Sequence, residues 1–148
     1  MGMFDAFNIS ASGMTAQRYR MDIISENLAN IDTTRTADGT PYRRKVVTFE
    51  ERSDHTSFSS VLGRATKDYV GQGVNVTGVH EDTWNEMIKA YDPSHPDADE
   101  NGYVWYPNVN TVTEMTDLID ASRSFEANAT AFQASKSMAM KALEIGKG

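Results

Sequence analysis

A chain of 148 residues is long enough for one domain, or for a helical stem with one small globule, and too short for a large enzyme. Its formal charge of −7 argues against general nucleic-acid affinity, because phosphate binding needs a basic face, and the absence of cysteine excludes a disulfide framework and a thiolate metal site. No run approaches the roughly 20 apolar residues of a membrane span, and the opening MGMFDAFNIS has neither the basic nor the apolar region of a cleaved secretory signal.

The first predicted element is a helix from about Asp5 to Asn30. Phe7, Met14, Met21 and Leu28 recur seven residues apart, and Met3, Ile24 and Ile31 form the companion row, which gives a narrow apolar seam suited to packing on other helices. Gly13 lies inside this helix at a cost of about 1 kcal/mol relative to alanine, so either the helix is weakest there or a neighbour approaches closely. Arg18, Asp22 and Glu26 make one i, i+4 row, read as a solvated face or as one that a neighbouring subunit completes with a cation. Asn27 and Asn30 suit local capping at the helix end, and Asp32, Thr33 and Thr34 support a stop.

Residues 34–45 read as an extended arm, with a turn signal at Asp38-Gly39 and Pro41 holding Thr40 extended. Tyr42-Arg43-Arg44-Lys45 leads into a strand over residues 46–50, and three cations in an otherwise acidic chain read as a strand end or as salt-bridge partners. The polar stretch 51–72 is predicted to be a loop with Phe58, Val61 and Leu62 clustered. Val74, Val76 and Val79 indicate a second strand and Trp84 to Tyr91 a third. Pro93, Pro96 and Asn101-Gly102 then mark turns, so Met87–Tyr91 and Tyr103–Tyr106 should form a hairpin with a long acidic tip. The middle of the chain is thus expected to be a small antiparallel β domain.

Thr111-Val112-Thr113-Glu114 has the capping-box pattern and opens a second helix running to about Ile145, with Gly146 as its C′ residue. Leu118, Phe125, Phe132 and Ala139 repeat at seven, flanked by Met115, Ala129 and Leu143. The expected fold is α+β: long N- and C-terminal helices paired as a coiled-coil-like stem, with the β domain inserted between them. The boundaries are residues 1–33 and 110–148 for the helices, 34–45 for the arm and 46–109 for the β-rich part. Much of the second helix's seam beside its apolar residues is Ala, Ser and Asn, so the pair alone should be weak and should need copies of itself to become rigid.

Asp97, Asp99, Asn101 and Gly102 match the opening of a calcium loop, but its twelfth position is Asn108 rather than a bidentate Glu. His55, His80 and His95 share no ligand spacing, and neither a phosphate loop nor a nucleophile elbow is present. No cofactor and no catalytic residue is therefore nominated.

Ser10-Ala11-Ser12-Gly13-Met14-Thr15-Ala16-Gln17-Arg18, then Arg20-Met21-Asp22 and Glu26-Asn27-Leu28-Ala29-Asn30, resemble the N-terminal motif of bacterial flagellar rod and hook proteins. That motif continues with a hydrophobic residue, Asn-Thr and a Gly-aromatic pair, whereas Asp32-Thr33-Thr34-Arg35-Thr36 stands here. Thr34-Arg35-Thr36, Pro41 to Lys45 and Tyr91 to Asp99 are similar instead to the short proximal-rod branch of the family. Ser12, Gly13, Gln17, Asn27, Ala29, Asn30 and Thr33 carry the family motif.

The resemblance implies a non-enzymatic component of the basal body, with a helical part lining an export channel and a small β domain outside it. It implies as partners copies of the chain itself, other rod proteins, the rod-base adaptor and the flagellar type III export apparatus, through which the chain leaves unfolded. Phe7, Met14, Met21, Ile24, Leu28, Ile31, Met115, Leu118, Phe125, Phe132 and Leu143 are the candidate subunit-packing residues. The cations Arg43, Arg44 and Lys45 on the arm of one copy are candidates to meet Asp97, Asp99 and Glu100 on the hairpin of another. The rival readings are a coiled-coil adaptor outside the flagellum and a calcium module using the Asp97–Gly102 turn.

Overall fold

The seven-residue repeats become two long helices, α1 (Met3–Ala29) and α2 (Thr111–Ile145), in a computed structural model that describes residues 3–52 and 71–146. Between them come β1 (Lys45–Glu51), β2 (Val74–Glu81), β3 (Ile88–Tyr91) and β4 (Tyr103–Tyr106), so the chain is α+β. The proposed cluster of Phe58, Val61 and Leu62 lies outside the described residues.

The middle differs from a single β domain in one respect. The four strands make two separate two-stranded sheets, β1 with β2 and β3 with β4. The expected third strand begins only at Ile88, because the Asp82 carboxylate accepts the Trp84 and Asn85 N–H groups and curls residues 82–85 into a turn before a ladder can start. The hairpin forms as its turn residues require, in the register Ile88 with Tyr106, Lys89 with Trp105, Ala90 with Val104 and Tyr91 with Tyr103. Gly102, at φ 79°, supplies the left-handed position.

The helix starts also differ in detail. Asn110 caps α2: its side-chain oxygen accepts the Val112 and Thr113 N–H groups, and its carbonyl accepts that of Glu114. Thr111 is therefore not the cap and Glu114 does not reach back as in a capping box, because other partners hold its carboxylate. Residues 34–45 also fold back on themselves. Thr36 and Thr40 close a turn around Gly39, and the Tyr42 N–H returns to the Thr33 carbonyl.

The chain divides into two compact units. One comprises residues Met1–Arg18, Phe49–Thr77 and Arg123–Gly148. Within it α1 and α2 run antiparallel: the Phe7 and Phe132 rings meet edge to face with centroids 4.9 Å apart, and Gly13 faces Asn128. The buried side chains here are small, Ser10, Ala16 and Ala139, so the helices approach closely while their larger side chains stay partly open. Ser12 accepts the Val74 N–H, fastening the start of β2 to α1.

The other unit comprises Tyr19–Thr48 and Gly78–Ser122. Ile24, Tyr42, Val104, Pro107, Val109 and Ala121 are buried in it, together with Asn27, Asp82 and Glu114. Here too the helices are antiparallel, with Arg20 on Asp117 and Asn27 on Glu114.

Candidate functional site

A core containing three polar side chains must satisfy them internally, and in the second unit Asn27 and Glu114 bond each other while Asp82 is held by Asn85, the Trp84 N–H and Arg44. Asn27 sits near the end of α1 with no exposed surface. Its oxygen accepts the Tyr42 hydroxyl and the Lys45 N–H, both at 2.9 Å, while its nitrogen donates to the Lys45 carbonyl at 2.9 Å and to Glu114 at 3.0 Å. All four bonds available to a primary amide are made. Asn27 thus binds the backbone of Lys45 as a neighbouring strand would, which fixes where β1 begins.

Glu114, fully buried in the first turns of α2, accepts from Asn27 with one oxygen and from Arg44 Nε with the other. The guanidinium spans further, to Asp117 at 3.3 Å and to Asp82 at 3.7 Å. Arg20 on α1 closes the ring on Asp117 at 2.9 Å. Asn108, between β4 and α2, accepts the Arg44 N–H and donates to the Asp82 and Asn85 carbonyls. Five segments, namely α1, residues 42–45, the Asp82 turn, residues 107–110 and α2, are joined in one polar clasp.

The electrostatics follow from this packing. Burial, with the Glu26, Glu114 and Glu81 carboxylates nearby, pushes the Tyr42 phenol up to about 12. The Asn85 side-chain amide, backbone N–H groups and Arg44 hold Asp82 below the usual carboxylate range against its burial. Every carboxylate of the clasp is engaged by a cation or an amide, so the arrangement holds a conformation and presents no free acid, base or nucleophile.

The sequence-nominated residues are distributed as follows. Ile24 is buried; Phe7, Met14, Met21, Leu28, Ile31, Leu118, Phe125 and Phe132 are half-buried; Met115 and Leu143 are exposed. Among the motif residues, Ser12 donates to the Ile9 carbonyl, Asn30 donates to that of Glu26, and Thr33 donates to Asn30. Ala29 is exposed, and the Gln17 side-chain oxygen is buried without a donor among the described residues.

The charged candidates meet partners inside the chain. Arg44 belongs to the clasp, Lys45 pairs with Glu26, and Arg43 reaches the Asp82 carbonyl at 3.5 Å. Asp97 accepts from Thr34 at 2.8 Å and faces Arg35 at 3.6 Å, so arm and hairpin meet within one chain. The Asp99 carboxylate receives the Asn101 and Tyr103 N–H groups of its own turn, while Glu100 is exposed. No spacing in the sequence marks Glu114, Asp117, Arg20, Tyr42, Asp82 and Asn108 as a constellation. The one signal available was the Glu114 and Asp117 pair, three residues apart on one helix face.

Comparison with known proteins adds a second line of argument. Residues 7–35 match the family described as flagella basal body rod protein, and residues 100–145 match the C-terminal family of flagellar basal body rod FlgEFG proteins. The chain is 48% identical to the flagellar basal-body rod protein FlgC of Bacillus subtilis, over 99% of this chain and all of that protein. It is 46% identical to FlgC of Borreliella burgdorferi over the full length of both, and 38% identical to FlgC of Salmonella typhimurium over 99% of this chain and all of the relative.

Proposed function

The chain belongs to the FlgC family of flagellar basal-body rod proteins, and from that membership we propose how its architecture serves the rod. It is a structural subunit that assembles with other rod components, and it is not an enzyme. The observation that carries this is the end-to-end similarity: the matched families cover most of α1 and all of α2, and the relatives align over nearly the whole chain.

The helices are the assembly elements. Val112, Met115 and Ile119 lie at i, i+3 and i+7 on α2 and are all more than half exposed, as are Met138, Met140, Leu143 and Ile145 near its end. Apolar rows left open in a single chain are covered when the same helices of neighbouring rod subunits, copies of this chain included, pack against them. Head-to-tail contacts of that kind propagate a tube, the proximal part of a drive shaft surrounding an export channel in the periplasm. The chain reaches that position unfolded, through the flagellar type III export apparatus, and builds on the rod-base adaptor. The clasp then sets the path of residues 34–45 and the hairpin on the outside of the tube.

Met115→Glu with Ile119→Glu in a strain whose own copy is deleted tests this reading. The substituted side chains are exposed, so the chain should fold and be exported, yet motility should be lost and no rod should extend beyond this subunit. Full motility in that strain would remove the α2 row as an assembly surface.

A further inference from the structure

The acidic charge of this chain is concentrated in one place. Residues 81–106 hold seven carboxylates and one cation, Lys89, a net −6 of the −7 carried by the whole chain, so the remainder is nearly neutral. This segment contains the β3–β4 hairpin, whose two faces differ in kind. Ala90 and the buried Val104 form part of the inner face. The pairs Lys89 with Trp105 and Tyr91 with Tyr103 form the outer one, where Tyr91 is 67% and Trp105 44% exposed.

The outer rings make a connected patch rather than scattered surface aromatics. Tyr91 and Tyr103 meet edge to face with centroids 5.2 Å apart. The Lys89 ammonium lies 4.2 Å from the Tyr103 centroid and 5.1 Å from that of Trp105, so these ring faces already accept a cation. The loop closing the hairpin at its Tyr91 end carries Asp92, Asp99 and the exposed Glu100. The Ser94 side chain and the Tyr103 N–H hold Asp92 and Asp99, respectively, below the ordinary carboxylate range.

We infer that this outer face docks a basic protein segment of another basal-body component, which lays arginine or lysine side chains over Tyr91, Tyr103 and Trp105 and against the carboxylate rim. Charge complementarity selects that occupant. A polyanion meets the Asp92, Asp99 and Glu100 carboxylates of the rim, and the arm of a second copy has Arg44 and Lys45 already engaged in its own chain. The inference rests on the rod-subunit reading, since it places the partner in the assembled basal body.

The test is photo-crosslinking in cells, with p-benzoylphenylalanine replacing Tyr91 in the full chain, in a strain whose own copy is deleted. The expected product joins this chain to a different basal-body protein, at a peptide with arginine or lysine beside the linked residue. Glu100→Lys should lower the yield about threefold, the effect of one exposed charge pair, and Lys89→Gln should raise it by a similar factor. General damage to the hairpin would lower both. A crosslink to a second copy, to glycan or to a peptide without cations, no crosslink in motile cells, or a yield that ignores both substitutions overturns the docking surface alone. If the unsubstituted chain does not restore motility, the rod reading itself falls.

Discussion

At the residue scale, Glu114 ties α2 to both α1 and the arm. It is fully buried, and its two oxygens divide between Asn27 and Arg44. Truncation to alanine removes the acceptor of Arg44 Nε and of one Asn27 N–H, while Asp117 and Asp82 still face the guanidinium, so the loss should be about 3 kcal/mol, the low end for breaking a buried pair from one side. Thermal unfolding of Glu114→Ala should show it, while Glu144→Ala, whose Lys141 pair is exposed, should lie near the parent. The clasp also leaves a signature at high pH. Because the folded state holds the Tyr42 phenol up to about 12 against an ordinary 10, it binds more protons than the unfolded chain between those values. The resulting stability is complete below pH 10 and is lost as pH rises toward 12. In an absorbance titration of tyrosinate, Tyr42→Phe should remove the last component to ionise; an unchanged upper limb would mean that Tyr42 is not shielded.

At the scale of elements, α1 resolves the question its glycine raised. The helix continues through Gly13, and what approaches is Asn128 of α2: a Cβ there would meet its Oδ1 at 2.8 Å. Alanine gains about 1 kcal/mol of helix propensity, but it displaces the Asn128 amide from the Ser124 carbonyl and forfeits a bond of similar worth. Gly13→Ala alone should therefore change stability by less than about 1 kcal/mol, and Gly13→Ala with Asn128→Ala, which loses the same bond but gains the helix propensity of alanine over asparagine, should exceed the parent by roughly 0.7 kcal/mol. Denaturant midpoints of the two singles and the double decide it.

Both helices and the hairpin were legible in the sequence because their signals are local: repeats of seven, Asn101-Gly102, and β-branched runs. The clasp was not, since Arg44 and Glu114 stand 70 positions apart and Asn27 and Glu114 stand 87 apart. The Asn27 and Glu114 side chains each had an adequate local explanation, as capping groups, that hid the distant one. The separation of the β region into two sheets was hidden in the same way, because the Asp82 turn takes its bonds from a stretch that reads as strand.

At the scale of the whole molecule, two helices of similar pattern are buried to unequal depth along their lengths. The α2 residues packed in the clasp unit include Glu114 and Ala121, each with no exposed surface, whereas from Lys136 to Ile145 only Ala139 is covered. Helical hydrogen bonds without tertiary cover are marginal in water, and exchange follows the free energy of local opening. In the purified single chain, amides of residues 138–145 should thus exchange orders of magnitude faster than those of 114–121. The same rows are those proposed to meet neighbouring subunits, so in isolated basal bodies the end of α2 should slow toward the rate of its beginning. A subunit that completes its helices on assembly requires both halves of that result. Equal, strong protection along α2 in the free chain would describe a finished helix with no ordering left for the rod to supply, and would favour an adaptor that works alone.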